Sequence, residues 1–435
     1  MTKIVFIGGN LCTNKGGAAI AVSAHDAIKK LIPDAEFTLS SFLYSSDSQM
    51  GEKYNILVVS ELDKYKFPFG IIILWSSRLF RVAVWRAIHK HFGLNIRKLT
   101  DEKLLKEYTN SDVAVEISGD GLSGDYGIIS ALISFSRIMT CVLLEKPVVI
   151  YAQSIGPYNL KWPVLNRESK ILSEICRFFA RYVLNRASLI TVREEITLDI
   201  LKKLGIDKPP IYLTADSAFL LAPASDEIMQ KLLLKYDINP DEKIVGLSVS
   251  RNINMLQYDS KSKKSYIYYK EVLIQIIDYI RDKFGAKIIL IPHATGPGDT
   301  ADDRITVREI LLDIKDKNGV IGVTEDLTPE ELKGIIGRCE LLVGSRMHAN
   351  IAALSMAIPT IAVGYSHKTK GIMKMMGQEE FNCDFQELNI SSIIDKLDKA
   401  WRNRDRITEE LEIKGKIVKE QAFYNAILVK QLLEA

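Results

Sequence analysis

The sequence predicts an α/β protein of two Rossmann-like domains facing a cleft, and three observations predict it. Short apolar, β-branched runs alternate with longer helical patterns, the signature of parallel sheets joined by helical crossovers. The alternation pauses at "LAPASDEIMQKLLLKYDINPDE", a proline, a polar helix and a turn, and then restarts. The chain of 435 residues is long for one core and suits two domains of roughly 200 residues each.

Taken in order, the strands of the first half read "KIVFIG", "AEFTLSS", "NILVVS", "VAVEISG", "PVVIYAQS", "SLITVR" and "IYLTAD". Those of the second half read "KIVGLSVS", "AKIILIPH", "GVIGVT", "ELLVGS" and "TIAVGY". The boundary falls near Ala222, giving an N-terminal domain over 1–222 and a C-terminal domain over 223–400. The charged run after Arg402 reads as a long helix within 401–435. In open parallel sheets ligands bind beyond the carboxyl ends of the strands, so function is sought in the loops that follow them.

Composition narrows the class. A net charge of +3 on this length gives no global field for nucleic acid, and none is expected as a partner. Five scattered cysteines without a C-x-x-C pair read as reduced and cytoplasmic, with neither a disulfide nor a zinc framework. "MTKIVFIGG" opens directly on a strand-like run, and no signal peptide is read there. No metal is expected, because no ligand spacing asks for one.

The segment from Lys64 to Lys98 holds no Asp or Glu. Its uncharged run Phe67–Ser77 is too short to span a bilayer, which takes ~20 apolar residues. Phe80, Val84, Ala87 and Ile88 fall on one helical face, with Arg78, Arg86 and Lys90 away from it and Arg81 interrupting the stripe. This basic amphipathic insert, about 64–98, reads either as a partly buried helix or as an interfacial helix on an anionic membrane surface. The second reading would make the protein peripheral at the inner face of the membrane.

Several strand ends carry groups suited to chemistry. "GGNLCTNKGGAAI" follows the first strand and opens a helix, so Asn14, Gly16 and Gly17 can present backbone N–H groups to a ligand, or simply form a tight turn. "SGDGLSGDYG" offers Asp120 and Asp125 to sugar hydroxyls, and the same residues are common in plain turns. "AQSIGPY" places Gln153 and Ser154 at a strand end. In "TVREE", Arg193 can grip a carboxylate or phosphate bidentately, or pair with Glu194, Glu195 or Asp216. "IPHATGPGDTADD" carries His293, Asp302 and Asp303, either ligand contacts or ordinary loop residues.

The most specific stretch is "LLVGSRMHANIAALSMAIPTIAVGYSHKTKG". Arg346 ends a strand, and Met347 and His348 begin a helix whose first N–H groups carry partial positive charge. An arginine beside a helix start makes an anion site, and a histidine there can deliver a proton. Together with Arg193, these residues describe proton donation to a small, doubly anionic substrate.

These residues resemble the polysaccharide pyruvyl transferase family over roughly Lys3 to Gly377. The resemblance is carried by "AQSIGP", "TVREEITLDILKKLG", "ADSAFLL" and "SRMHANIAALSMAIPTIAVGYSHKTKG", with Arg346, His348, Pro359, Tyr365 and Lys368 in the family's spacing. It implies a two-domain fold like the GT-B glycosyltransferases, with acceptor on the N-terminal side and donor on the C-terminal side. It implies phosphoenolpyruvate as donor substrate, no cofactor, and a glycan or lipid-linked oligosaccharide as acceptor. His348 would be the general acid, with Arg346, Arg193, Met347 and Lys368 on the donor. Asn14, Gly16, Gly17, Asp120, Gln153 and Ser154 would serve the acceptor, and His293 and Tyr365 are further candidates without an assigned role. One loop departs: the family's Asn-x-Gly-Asp-Glu-Ala is here Asn14-Lys15-Gly16-Gly17-Ala18-Ala19, and both acids are missing.

Two other functions fit the same residues. A glycosyltransferase of this fold would take a nucleotide sugar, with Glu325 or Asp326 on the ribose. A non-catalytic, membrane-associated scaffold would keep the fold alone.

Overall fold

The computed structural model describes residues 1–62, 68–160, 168–239, 241–252, 260–364, 367–384 and 389–435. It divides into two compact units, each assembled from separate stretches of chain. The first comprises Met1–Leu11, Ile20–Ser217 and Gln421–Ala435; the second comprises Cys12–Ala19 and Ala218–Glu420.

The first unit is built on seven strands: β1 (Lys3–Ile7), β2 (Glu36–Ser41), β3 (Leu57–Ser60), β4 (Val113–Glu116), β5 (Val148–Gln153), β6 (Leu189–Val192) and β7 (Ile211–Leu213). They pair in parallel in the order β3-β2-β1-β4-β5-β6-β7. Parallel neighbours need crossovers, which the helices α1 (Lys15–Leu31), α2 (Tyr44–Tyr54), α3 (Pro68–Phe92), α4 (Lys103–Asn110), α5 (Gly127–Leu143), α6 (Lys170–Leu184) and α7 (Glu195–Leu204) supply. The central strands β4, β5 and β6 are buried along their whole length, as near-continuous apolar runs require when both faces are covered. Strand order reverses between β1 and β4, where Ile7 lies opposite Glu116.

The second unit holds α8 (Asp226–Lys235), β8 (Ile244–Ser248), α9 (Ser260–Phe284), β9 (Lys287–Ile291), α10 (Asp303–Asp313) and β10 (Val320–Gly322). It continues with α11 (Pro329–Ile336), β11 (Leu341–Gly344), α12 (Met347–Ser355), β12 (Thr360–Gly364), α13 (His367–Met375), β13 (Asn382–Asp384) and α14 (Ile390–Arg402). Its parallel sheet runs β10-β9-β8-β11-β12-β13 and reverses between β8 and β11, where Ser248 lies opposite Gly344. Such reversals open a crevice beyond the strand ends, so each unit brings its own strand-end residues to one place.

The charged run read as a separate terminal helix is α15 (Arg404–Glu434), and it is shared between the units. Its Asn425 is buried in the first unit, accepting from Thr214 Oγ1 at 2.8 Å and donating to Ala215 O at 3.0 Å.

The insert is a helix, α3, but its basic residues are not arranged as the sequence pattern placed them. Arg78, read as facing away from the apolar stripe, is fully buried with Trp75, Val82 and Trp85. Its guanidinium donates to Glu61 O at 2.8 Å and pairs with Glu102. Arg81 takes the other oxygen of Glu102, and Arg86 reaches Glu145 at 3.6 Å. The partners Glu61, Glu102 and Glu145 lie outside the acid-free segment, so its composition alone could not reveal the neutralisation. Among the described residues no helix is long and apolar enough to cross a membrane.

Candidate active site

In the second unit the site is built at the end of β11. Arg346 occupies the N-cap position of α12 with extended backbone, and an arginine side chain, having no acceptor, does not cap the helix itself. The first-turn N–H groups of α12 carry partial positive charge, and the arginine is the residue immediately before them. Asp303, wholly buried, fixes the arginine: Nε and Nη2 donate to its two oxygens at 2.9 and 2.5 Å. The same carboxylate accepts backbone N–H bonds from Arg251, His293 and Ala294 at 2.7, 3.1 and 2.9 Å. Five donors on one carboxylate lock β8, β9 and the start of α12 into one geometry. Ser345 is held in turn by Tyr269, whose hydroxyl donates to Ser345 Oγ at 2.8 Å.

His348 is half-buried on the first turn of α12, and its ring lies directly against the backbone of Gly16. A Cβ at Gly16 would fall inside the ring's van der Waals envelope, so this position has to be glycine for the histidine to take its place. The segment Cys12–Ala19, which carries the first turn of α1, is thus part of the second unit. Lys15 N donates to His293 O at 3.1 Å, Thr295 N to Thr13 O at 2.7 Å, and Asn14 forms a β-bridge with Ala294. The Asn14 side chain accepts from Gly16 N and Gly17 N at 3.1 and 3.4 Å, an Asx cap for α1. Lys15 is buried and extends to Asp326 at 2.5 Å. His293 is buried too, and Nδ1 has no hydrogen-bond partner among the described residues. Burial first, and then the charges of His348, Arg346 and Lys15, hold its imidazole neutral well below the usual histidine range.

The first unit gathers a different set at β4, β5 and β6. Gln153 is fully buried and spends its amide internally: Nε2 donates to Glu116 O and Tyr151 O, each at 3.1 Å, and Oε1 accepts from Ser118 Oγ. Ser154 Oγ accepts from Arg193 Nε at 2.8 Å. Arg193 is fully buried and pairs through Nη1 with Asp216 at 2.5 Å, the partner the sequence offered as its structural alternative. Its Nη2 is buried without a hydrogen-bond partner among the described residues. Asp120 is half-buried in the loop after β4 and accepts from Tyr126 Oη at 2.9 Å. At the point of strand reversal stands Glu116, wholly buried, whose Oε1 accepts from Ser118 N at 3.0 Å. Burial pushes its carboxyl up to about 7, against smaller opposing effects of Ser118 and Arg137.

Residues 14–367 match the profile of the family described as Polysaccharide pyruvyl transferase. The chain belongs to the polysaccharide pyruvyl transferase family. A curated relative, the amylovoran biosynthesis protein AmsJ of Erwinia amylovora, is 23% identical over 418 residues, covering 94% of each chain. Solved structures share the fold at low identity. HepE of Anabaena, in complex with UDP and glucose, aligns with a TM-score of 0.57 at 13% identity over all of both chains. The S. aureus MnaA–UDP structure aligns with a TM-score of 0.58 at 12% identity, covering 94% of this chain and 90% of that one. The UDP-GlcNAc 2-epimerase of Methanocaldococcus jannaschii gives 0.53 at 14%, covering 92% of each. These likenesses support the GT-B-like fold class, and the family supports a polysaccharide-modifying role.

Set beside the family, the residues sort by unit. The second holds Arg346, Met347, His348, Lys368, His293, Asn14, Gly16 and Gly17; the first holds Arg193, Asp120, Gln153 and Ser154. Lys368 is buried on α13, and Tyr365 lies outside the described residues. In the departing loop, the positions of the missing family acids are buried as Gly17 and Ala18. Two groups were not singled out from the sequence. Asp303 was one of several loop acids, and its five donors come from three other places in the chain. Glu116 carried a usable signal, an ionisable residue at the end of the apolar run "VAVEI".

Proposed function

We propose that this family member moves pyruvate from phosphoenolpyruvate to a pair of sugar hydroxyls on a cell-surface polysaccharide or its lipid-linked precursor, forming a cyclic ketal. The observation that carries the reading is the start of α12: an Asp303-fixed arginine at the N-cap and a histidine on the first turn seated on Gly16. Arg346 and the N–H groups from Met347 onward receive the donor's phosphate or carboxylate, with Lys368 adding charge. His348 gives its proton to the methylene carbon of the enol, which becomes a methyl group. Electron demand at the adjacent carbon is met by one sugar hydroxyl, whose oxygen bonds there. The bond to phosphate breaks, and the second hydroxyl closes the ring. One proton enters the methyl group and two leave the hydroxyls, one restoring His348 and one departing with phosphate. Oriented donors matter most as phosphate leaves, where losing one typically costs ~3 kcal/mol of barrier.

His348→Gln keeps a polar side chain but cannot donate a proton. Turnover is expected to fall by ~10²–10⁴, the usual worth of general acid catalysis, while phosphoenolpyruvate affinity changes little. In deuterium oxide the wild-type product should carry deuterium in its ketal methyl group. Near-normal turnover of His348→Gln rejects the role, and a product retaining its vinyl group means enolpyruvyl transfer instead.

The nucleotide-sugar reading is weakened by the partners of its ribose candidates. Glu325 is engaged by Lys235 at 2.8 Å and by Tyr236 Oη at 2.9 Å, and Asp326 by Lys15 and Thr295. Thermal shift with phosphoenolpyruvate against UDP-sugars separates the two readings, and absence of phosphate release with crude glycan would favour the scaffold.

A further inference from the structure

One face of the first unit is apolar and faces solvent. Helices α3, α5 and α6 pack side by side over the first sheet, on the side that the rightward crossovers from β3 to β6 occupy. With its arginines turned inward or paired, the outer face of α3 carries Ile73, Ser76, Ser77, Phe80, Ala83 and Ala87, all exposed and all uncharged. Ile73 and Phe80 stand 66% and 71% exposed. On α6, Ile171, Ile175, Phe178 and Tyr182 recur at spacings of one helical turn, and the rings of Phe178 and Tyr182 stack at 6.3 Å. Phe178 is 64% exposed. Between them α5 has one charged residue, Arg137, buried against Glu61 at 3.0 Å.

We infer that this face docks on an anionic lipid bilayer, by inserting the side chains of α3 and α6 rather than by the arginines of α3. Charge selects the occupant. The three helices carry eight Lys or Arg and a single acid, Glu174, which Arg177 neutralises at 2.5 Å. Lys90, Lys170 and Arg181, exposed on α3 and α6, have no acidic partner among the described residues. An apolar centre with unpaired cations matches an anionic headgroup layer above acyl chains. A second copy meeting the same face would set these cations against their own kind, which disfavours a symmetric dimer. The inference stands apart from the catalytic reading, because none of its residues belongs to the proposed site.

The test is flotation of the full chain with vesicles of phosphatidylcholine and with an equal mixture of phosphatidylcholine and phosphatidylglycerol. The protein should float with the mixed vesicles and less with the neutral ones. Phe80→Ser combined with Phe178→Ser should lower partitioning about tenfold or more, since each removes a large apolar side chain from the contact. Lys90→Gln with Lys170→Gln and Arg181→Gln should lower binding to the mixed vesicles only. All these positions are exposed, and an unchanged melting temperature certifies the fold. Absence of flotation with either vesicle overturns the inference. So does undiminished flotation of the Phe80, Phe178 variant, or a wild-type dimer that this variant dissociates.

Discussion

Two arginines follow strands in similar sequence settings, "LITVREE" and "LLVGSRM", yet they are built into different surroundings. Arg193 is wholly enclosed, shared between Asp216 and Ser154. The helix after it, α7, begins with its own acid, because Glu194 caps the first turn by accepting from Thr197 N. Arg346 is half-buried, is held by Asp303, and is itself the N-cap residue of α12. Each arginine is paired with a buried aspartate, and the difference lies at the helix start: the Glu194 carboxylate occupies the first turn of α7, whereas the N-cap residue of α12 is the arginine itself. A strand-end arginine thus becomes an anion-site candidate when the next helix leaves its amino terminus to a ligand. Where the next helix supplies its own acid, as at Glu194, the arginine is fully buried and held by Asp216 and Ser154.

The sharpest way to break this comparison is Arg193→Ala. Removing one partner of a buried pair withdraws the Arg193 charge from Asp216 and should destabilise the first unit by roughly 3–5 kcal/mol, read by urea unfolding. A variant of normal stability that has lost phosphoenolpyruvate binding would move Arg193 onto the donor and erase the distinction. Arg346→Ala should act the other way round. Its loss costs donor affinity ten-fold or more, about 1.5–3 kcal/mol, by titration calorimetry. The stability loss should be smaller than for Arg193, because Asp303 keeps three backbone N–H bonds.

Gly16→Ala tests the seat of His348. A methyl group there must push the ring or the loop aside, at about 1–3 kcal/mol, and turnover should fall roughly ten-fold with donor affinity retained. Unchanged turnover would show that the contact is incidental.

A further test lies in the pH profile of the first unit. Glu116 titrates near 7 when folded and near 4.3 when unfolded, so between these values the folded state binds more protons. Stability from this residue is therefore present at low pH and lost as pH rises through about 7, with a slope of up to ~1 kcal/mol per pH unit. Glu116→Gln should flatten that slope in denaturant titrations between pH 5 and 7.5, about the range in which the group changes charge. An unaltered slope would mean that Glu116 ionises normally in its buried place.

The sequence made the two-sheet alternation legible because buried parallel strands are nearly continuous apolar runs, and "VVIYA" or "KIILI" have few other homes. Arg346 and His348 were legible because a strand-to-helix corner is a local pattern. What could not be read was partnership across the chain. Asp303 finds its arginine 43 residues away, and Arg78 finds Glu102 outside its acid-free segment. The seat of His348 is supplied by the first turn of α1, near the other end of the sequence. Gln153 and Ser154 are polar groups at a strand end in the sequence, and the sequence does not show that Gln153 donates to Glu116 O and Tyr151 O or that Ser154 accepts from Arg193.

The split assembly of the first unit has a consequence during synthesis. Its sheet is complete in sequence by Leu213, yet Asn425, which clasps Thr214 and Ala215, lies beyond the whole 218–420 stretch of the second unit. At ~5–20 residues per second, the nascent sheet waits on the order of 10–40 s for that clasp. Throughout the wait the surface destined for α15 is open, so vectorial translation creates a period in which holdases and proteases compete for a domain that is already threaded but not yet latched.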